Sequence, residues 1–145
     1  MLKNRVLSFL ILAFVYAVAC FGGIILFKRI PLDYRLALLI ADVFATILVF
    51  VFSIVFQNAS VYDPYWSVQP IVIACAFAVM RGVNTLGILL LIAICYWGIR
   101  LTSNWAYTFQ NLTCQDWRYT MLHEKTGKLY PFINFCGIHM VPTLI

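Results

Sequence analysis

Charge is what this sequence has least of: Asp, Glu, Lys and Arg together make up 10% of its 145 residues, against roughly 25% in an average soluble domain. Water is therefore not its main solvent. The ten basic and five acidic residues leave a net charge of +5, yet the basic ones are scattered over connections and helix ends, without the run or patch that tracks a phosphate backbone. That distribution speaks against a nucleic-acid partner and matches the basic flanks of membrane spans. There is also no glycine-rich nucleotide loop. None of the five cysteines forms a CxxC pair, so neither a zinc site nor a disulfide framework is expected. Cys20, Cys75, Cys95 and Cys136 sit in apolar stretches as small hydrophobes, and Cys114 lies in a polar one. His123 and His139 have no partner at metal-ligand spacing and no Ser or Cys arranged for nucleophilic attack, which leaves hydrolase and metalloenzyme readings without support. Internal repeats and low-complexity tracts are absent as well.

What is present is apolar surface. Hydrophobic residues are 64% of the chain and aromatic ones 17%, from twelve Phe, eight Tyr and four Trp, and the mean hydropathy is +0.95. Residues 6–27 carry no charge and are bracketed by Lys3 and Arg5 on one side and Lys28 and Arg29 on the other, which matches the ~20 residues needed to cross hydrocarbon. Ala17-Val18-Ala19-Cys20 resembles a lipoprotein cleavage box, but the apolar run continues past it and is longer than a signal-peptide core, so a retained helix is expected. Residues 36–56 form a second span after a turn at Pro31, with Asp42 as its one ionisable group. Near the membrane edge, snorkelling or pairing with Arg35 would reduce the cost of that carboxyl. After a turn-rich interface loop at 57–67, residues 65–80 and 86–101 read as a tight transmembrane hairpin of short spans.

Residues 102–128 are the longest polar segment, yet they carry Trp105, Tyr107, Phe109, Trp117 and Tyr119. Within them Asp116, Tyr119, Thr120 and His123 share one helical face, with Thr113 placed as N-cap and Gly127 as a stop, so a short interfacial helix is expected. Residues 129–145 begin a fifth span without an exit anchor. The expected fold is thus all-α: a single polytopic transmembrane helix bundle over 1–145, with four spans, a truncated fifth and one interfacial helix.

Three segments gather nearly all the unusual polar residues. Trp97, Arg100, Asn104 and Tyr107 recur at three- and four-residue spacing and form one stripe on the continuation of the fourth helix. Facing a bundle interior, such a stripe can hold a phosphate or a carbonyl, since Arg presents a fork of donors and Asn both donors and acceptors. The bland alternatives are that Arg100 snorkels to headgroups while Trp97 and Trp105 belong to an aromatic belt, that Thr113 to Asp116 is a capping box, and that Asp63-Pro64 only starts a turn.

Taken together, Ser60-Val61-Tyr62-Asp63-Pro64-Tyr65-Trp66-Ser67, then Trp97-Gly98-Ile99-Arg100-Leu101-Thr102-Ser103-Asn104-Trp105, then Asp116-Trp117-Arg118-Tyr119 resemble the DUF1295 family, the bacterial relatives of steroid 5-alpha-reductases. The resemblance runs from about Asn58 to the end of the chain. It implies an integral protein of the bacterial inner membrane, an oxidoreductase of about seven spans that uses NADPH to reduce a carbonyl-conjugated C=C bond of a lipid-like substrate. Arg100, Asn104, Asp116, Arg118 and Tyr119 match the family's motif positions and Asp63, Tyr65 and Trp66 its loop motif, which makes them candidates for cofactor or substrate binding. Tyr107 stands where members commonly carry a basic residue, and the family's later spans lie beyond Ile145, so this chain is expected to be the N-terminal portion. Two other readings remain: a membrane methyltransferase of the isoprenylcysteine type, using S-adenosylmethionine, and a non-catalytic membrane protein or inactive remnant.

Overall fold

A computed structural model describes residues 3–145. Every regular element among them is helical. Helix α1 (Arg5–Arg29) starts where the Asn4 side chain accepts a hydrogen bond from the Leu7 amide, and it ends on Lys28 and Arg29, the charge placement that suits the negative end of a helix dipole. Asp33 caps α2 (Tyr34–Val55) in the same way, accepting from the Arg35 amide at 3.1 Å. The α2 C-terminus is closed by Gln57 in a left-handed conformation (φ +52°) and by the Asn58 amide, which donates back to the Ser53 carbonyl.

α1 and α2 pack through a stripe of small side chains. Ser8, Leu12, Val15, Ala19 and Gly23 are buried on one helix, and Ala37, Ala41, Ala45, Val49 and Ser53 on the other. Lipid is as apolar as leucine, so transmembrane helices associate by close backbone approach over small residues and not by hydrophobic burial. At Gly23 a Cβ would lie 3.3 Å from the Ala41 carbonyl oxygen. The bulky residues Val6, Leu10, Phe14 and Phe21 lie on the exposed side.

The expected hairpin is α3 (Tyr65–Arg81) and α4 (Thr85–Thr108). Gly82 ends α3 with φ +71°, and Asn84 caps α4 by accepting from the Gly87 amide at 2.9 Å. α4 continues well beyond the apolar run at 86–101, because Leu101 to Thr108 contains no proline or glycine to stop it. It is followed by α5 (Trp117–Thr126). The remainder is α6 (Tyr130–Ile133), a π-helical stretch (Asn134–Met140) and α7 (Val141–Leu144).

Three of these helices, α1, α2 and α4, are long and apolar enough to cross a membrane, with mean hydropathies of 2.6, 2.7 and 1.8. The chain is an integral membrane protein in contact with lipid. α3 has 17 residues and contains Pro70, which at about 1.5 Å per residue gives roughly 25 Å, short of a ~30 Å hydrocarbon core.

The chain divides into two compact units. The first holds the residues up to Tyr62 together with Gln110–Ile145, hence α1, α2 and α5 to α7. The second is Asp63–Phe109, the α3–α4 hairpin.

Candidate functional site

In the first unit, two of the three polar segments are joined directly. The Asn58 side-chain amide donates to the Leu112 and Cys114 carbonyls at 2.7 and 3.3 Å, while its own oxygen accepts from the Ser60 amide. The Ala59 amide donates to Gln115 Oε1 at 3.0 Å, and the Asp116 amide to the Ser60 hydroxyl at 2.9 Å. Asn58, Ala59, Ser60 and Leu112 are all buried, so these bonds satisfy backbone groups that neither a helix nor water serves. Ser8 of α1 completes the clasp by accepting from the Leu112 amide.

The clasp fixes where α5 begins. Asp116, and not Thr113, is the N-cap: its Oδ1 accepts from the Arg118 amide at 2.9 Å. Thr113 is diverted into a local turn in which its amide and hydroxyl both donate to Asn111 Oδ1. Both residues favour caps, but the Asp116 backbone is already held by Ser60, and its carboxylate also receives Arg118. Arg118 Nε and Nη2 reach Oδ1 and Oδ2, each at 2.9 Å, the two-point geometry that suits a guanidinium. The Arg118 guanidinium holds the Asp116 carboxyl below the ordinary carboxylate range. Tyr119 lies beside it, with the Arg118 guanidinium carbon 5.8 Å from its ring centre. Asp116, Arg118 and Tyr119 thus form one local cluster.

The other candidates belong to the second unit. Asp63 is half-buried just ahead of α3, Tyr65 is buried at its first residue, and Trp66 is exposed and packs edge-on against Trp97 at 5.6 Å. Arg100 and Asn104 are exposed on α4, as are Trp97 and Tyr107. The face that α4 turns to α3 is a different one: Gly98 is buried and Thr102 lies 2.8 Å from the Ser67 hydroxyl. Arg100 and Asn104 therefore point away from α3, with the Arg100 donor fork available to a ligand, while Trp97 at the edge of the stripe reaches Trp66.

A polar centre that sequence reasoning did not single out lies inside the first unit. Thr143 donates its only proton to the His139 carbonyl at 2.8 Å. The hydroxyls of Tyr62 and Thr46, 2.7 and 2.9 Å from Thr143 Oγ1, must then donate to it. Burial pushes the Tyr62 phenol up to about 12, with the charge of Asp42 adding to the effect, so Tyr62 keeps its proton at neutral pH. His139, fully buried, packs at a tilt against the Tyr62 ring, 4.6 Å between centres. Its Nδ1 lies 3.1 Å from the Asn134 carbonyl oxygen. A carbonyl only accepts, so Nδ1 carries the proton and, in a neutral ring, Nε2 is left as an acceptor. Nε2 has no hydrogen-bond partner, and neither have Asn134 Oδ1 and Asp42 Oδ1.

Asp42 does not meet Arg35, whose Nε donates to the Tyr34 hydroxyl at 3.1 Å. Two helical turns separate them, about 10 Å along the axis, and Arg35 has a nearer partner at the surface. The widened π-turn places Asn134 and His139 five residues apart on the inner side, and such turns recur at functional sites. Gln69 on α3 is a further buried side chain whose Nε2 has no hydrogen-bond partner. The sequence does not reveal this centre, since Tyr62 and Thr46 meet Thr143 from 81 and 97 positions away.

Residues 49–145 match the family described as "Protein of unknown function (DUF1295)", about two-thirds of the chain. No curated protein and no solved structure matches.

Proposed function

We propose, from the premise that this chain belongs to the DUF1295 family, that it is part of a membrane oxidoreductase of the steroid-5-alpha-reductase type. Its substrate is a lipid-like molecule with a C=C bond conjugated to a carbonyl, and its cofactor is NADPH. The observation that carries the reading is the register of the three polar motifs. Anchoring in a bilayer requires none of them, and two of them are clasped together by four hydrogen bonds between 58–60 and 112–116. In this reading the hairpin spans the bilayer with α1 and α2, residues 129–145 start a fifth span, and the whole protein of about seven spans lies in the bacterial inner membrane.

The donor set fits an anionic dinucleotide. Arg100 and Asn104 sit one turn apart on an exposed face of α4, and a guanidinium fork beside an amide suits phosphate oxygens. When bound, NADPH supplies the hydride. The protein's own residues bind and orient: Arg100 and Asn104 hold phosphate, while the Asp116–Arg118 pair fixes Tyr119 and the start of α5. Asp63, Tyr65 and Trp66 match the family's loop motif and are further candidates for binding. Groups placed in advance around a developing oxyanion are what such a reduction needs from its protein.

The test is titration of the detergent-solubilised full-length protein with NADPH and, separately, with S-adenosylmethionine. Saturable NADPH binding is expected. Saturation by S-adenosylmethionine alone would move the protein to the isoprenylcysteine-type methyltransferases, and binding of neither would leave a non-catalytic membrane component.

A further inference from the structure

Two cysteines that lie 20 residues apart in the sequence meet across the α3–α4 hairpin. The hairpin register is pinned where the Ser67 and Thr102 hydroxyls lie 2.8 Å apart. From that pin Cys75 is eight residues along α3 and Cys95 is seven residues back along α4, about 12 Å and about 10.5 Å at 1.5 Å per residue. They stand at nearly the same height. They also share the contact face, because Ser67, Ile71 and Cys75 recur at four-residue spacing, and Cys95, Gly98 and Thr102 at three and four.

Gly98 explains the close approach. A Cβ there would lie 2.5 Å from the Ser67 carbonyl oxygen and 2.6 Å from the Ile71 side chain, so only glycine lets the two backbones come this near. Cys95 is one turn away. The Cys75 and Cys95 side chains interact directly, both are free, and Cys75 is exposed while Cys95 is half-buried. A disulfide needs Cα atoms about 4.4 to 6.8 Å apart, a separation that a hairpin closed over glycine can supply.

We propose that Cys75 and Cys95 form an oxidisable dithiol, a covalent modification site within the hairpin, whose oxidant is a lipid-soluble quinone. Both S–H bonds break and one S–S bond forms. The two electrons and two protons pass to the quinone, which leaves as the hydroquinone. The class of oxidant follows from position: Cys95 is the eleventh of the 24 residues of α4, near the middle of an apolar span, where a water-soluble oxidant does not partition. Closure would tie α3 to α4 through a covalent bond at the level of the thiols. It is independent of the reductase reading, since none of the cofactor candidates takes part.

The experiment is exposure of the purified full chain, in lipid nanodiscs, to a fully substituted ubiquinone analogue, followed by thiol counting and peptide mapping under non-reducing conditions. Free thiols should fall from the five of the resting chain to three, with a peptide linking Cys75 to Cys95 and stoichiometric hydroquinone. Cys75→Ser and Cys95→Ser should each abolish the loss, whereas Cys20→Ser should leave it intact. The proposal is overturned if the thiol count stays at five while a maleimide still labels both cysteines. A cross-link that joins other cysteines, or a gain in mass from a quinone adduct, overturns it equally.

Discussion

Gly98 shows how one missing methyl group can set the geometry of a hairpin. Because a Cβ there would meet the Ser67 carbonyl oxygen at 2.5 Å, Gly98→Ala forces α3 and α4 apart and should destabilise the protein by about 1–3 kcal/mol, the usual cost of overpacking. Gly137→Ala is the matching control, since nothing lies within 4 Å of its would-be Cβ. Thermal unfolding of both variants in one detergent should show a clearly lower Tm for the first and little change for the second. Neither contrast is written in the local sequence. Gly98 stands in an apolar helix like Gly137, and only its neighbour across the hairpin distinguishes them. His139 is a similar case, for its isolation in the sequence hides a ring held between Tyr62 and Phe50. Exposed residues were easier to read: Arg100, Asn104 and Trp97 stood out as a stripe from spacing alone, although the structure turns Arg100 and Asn104 outward from α3.

At the scale of elements, the start of α5 depends on Asp116. Its carboxyl is depressed in the folded state by Arg118, so the stabilisation it gives is fully present above the unfolded value of about 3.9. It is lost as the pH falls through the lower folded value. Asp116→Ala removes both the cap and the ion pair and should cost on the order of 1 kcal/mol. Hydrogen exchange of the amides at 117–126 should show reduced protection in that variant at neutral pH. In the unchanged chain the same loss should appear only in acid, and Arg118→Ala should raise its midpoint toward the ordinary carboxylate value. Asp116, Thr113 and Asn111 are all good caps, so sequence alone leaves the choice open, and the Ser60 hydroxyl on a distant segment makes it. The long apolar helices were legible because hydrophobic runs and basic flanks are local properties. The extension of α4 to Thr108 was partly so, through the stripe spacing. The π-helical stretch was not, since Asn134 and His139 are as compatible with an ordinary helix as with a widened turn.

For the whole molecule, hydropathy was enough to establish a membrane protein, and three helices meet the length and apolarity needed to cross. It was not enough to count spans, because α3 is short and residues 130–144 change helix type twice. Function is where the sequence motifs and the packing bear on one another most closely. Asn58, Ser60, Gln115 and Asp116 hold two motifs in one place, and Arg100 and Asn104 present donors on an open face. A charged hydrogen bond to phosphate contributes about 1.5–3 kcal/mol, which corresponds to about 10- to 100-fold in affinity. The most direct measurement is therefore the dissociation constant of NADPH for the full-length protein and for its Arg100→Ala variant in the same detergent. The cofactor-site account predicts weakening of about tenfold or more with the fold intact, and an unchanged constant would show that Arg100 only anchors the helix in the membrane.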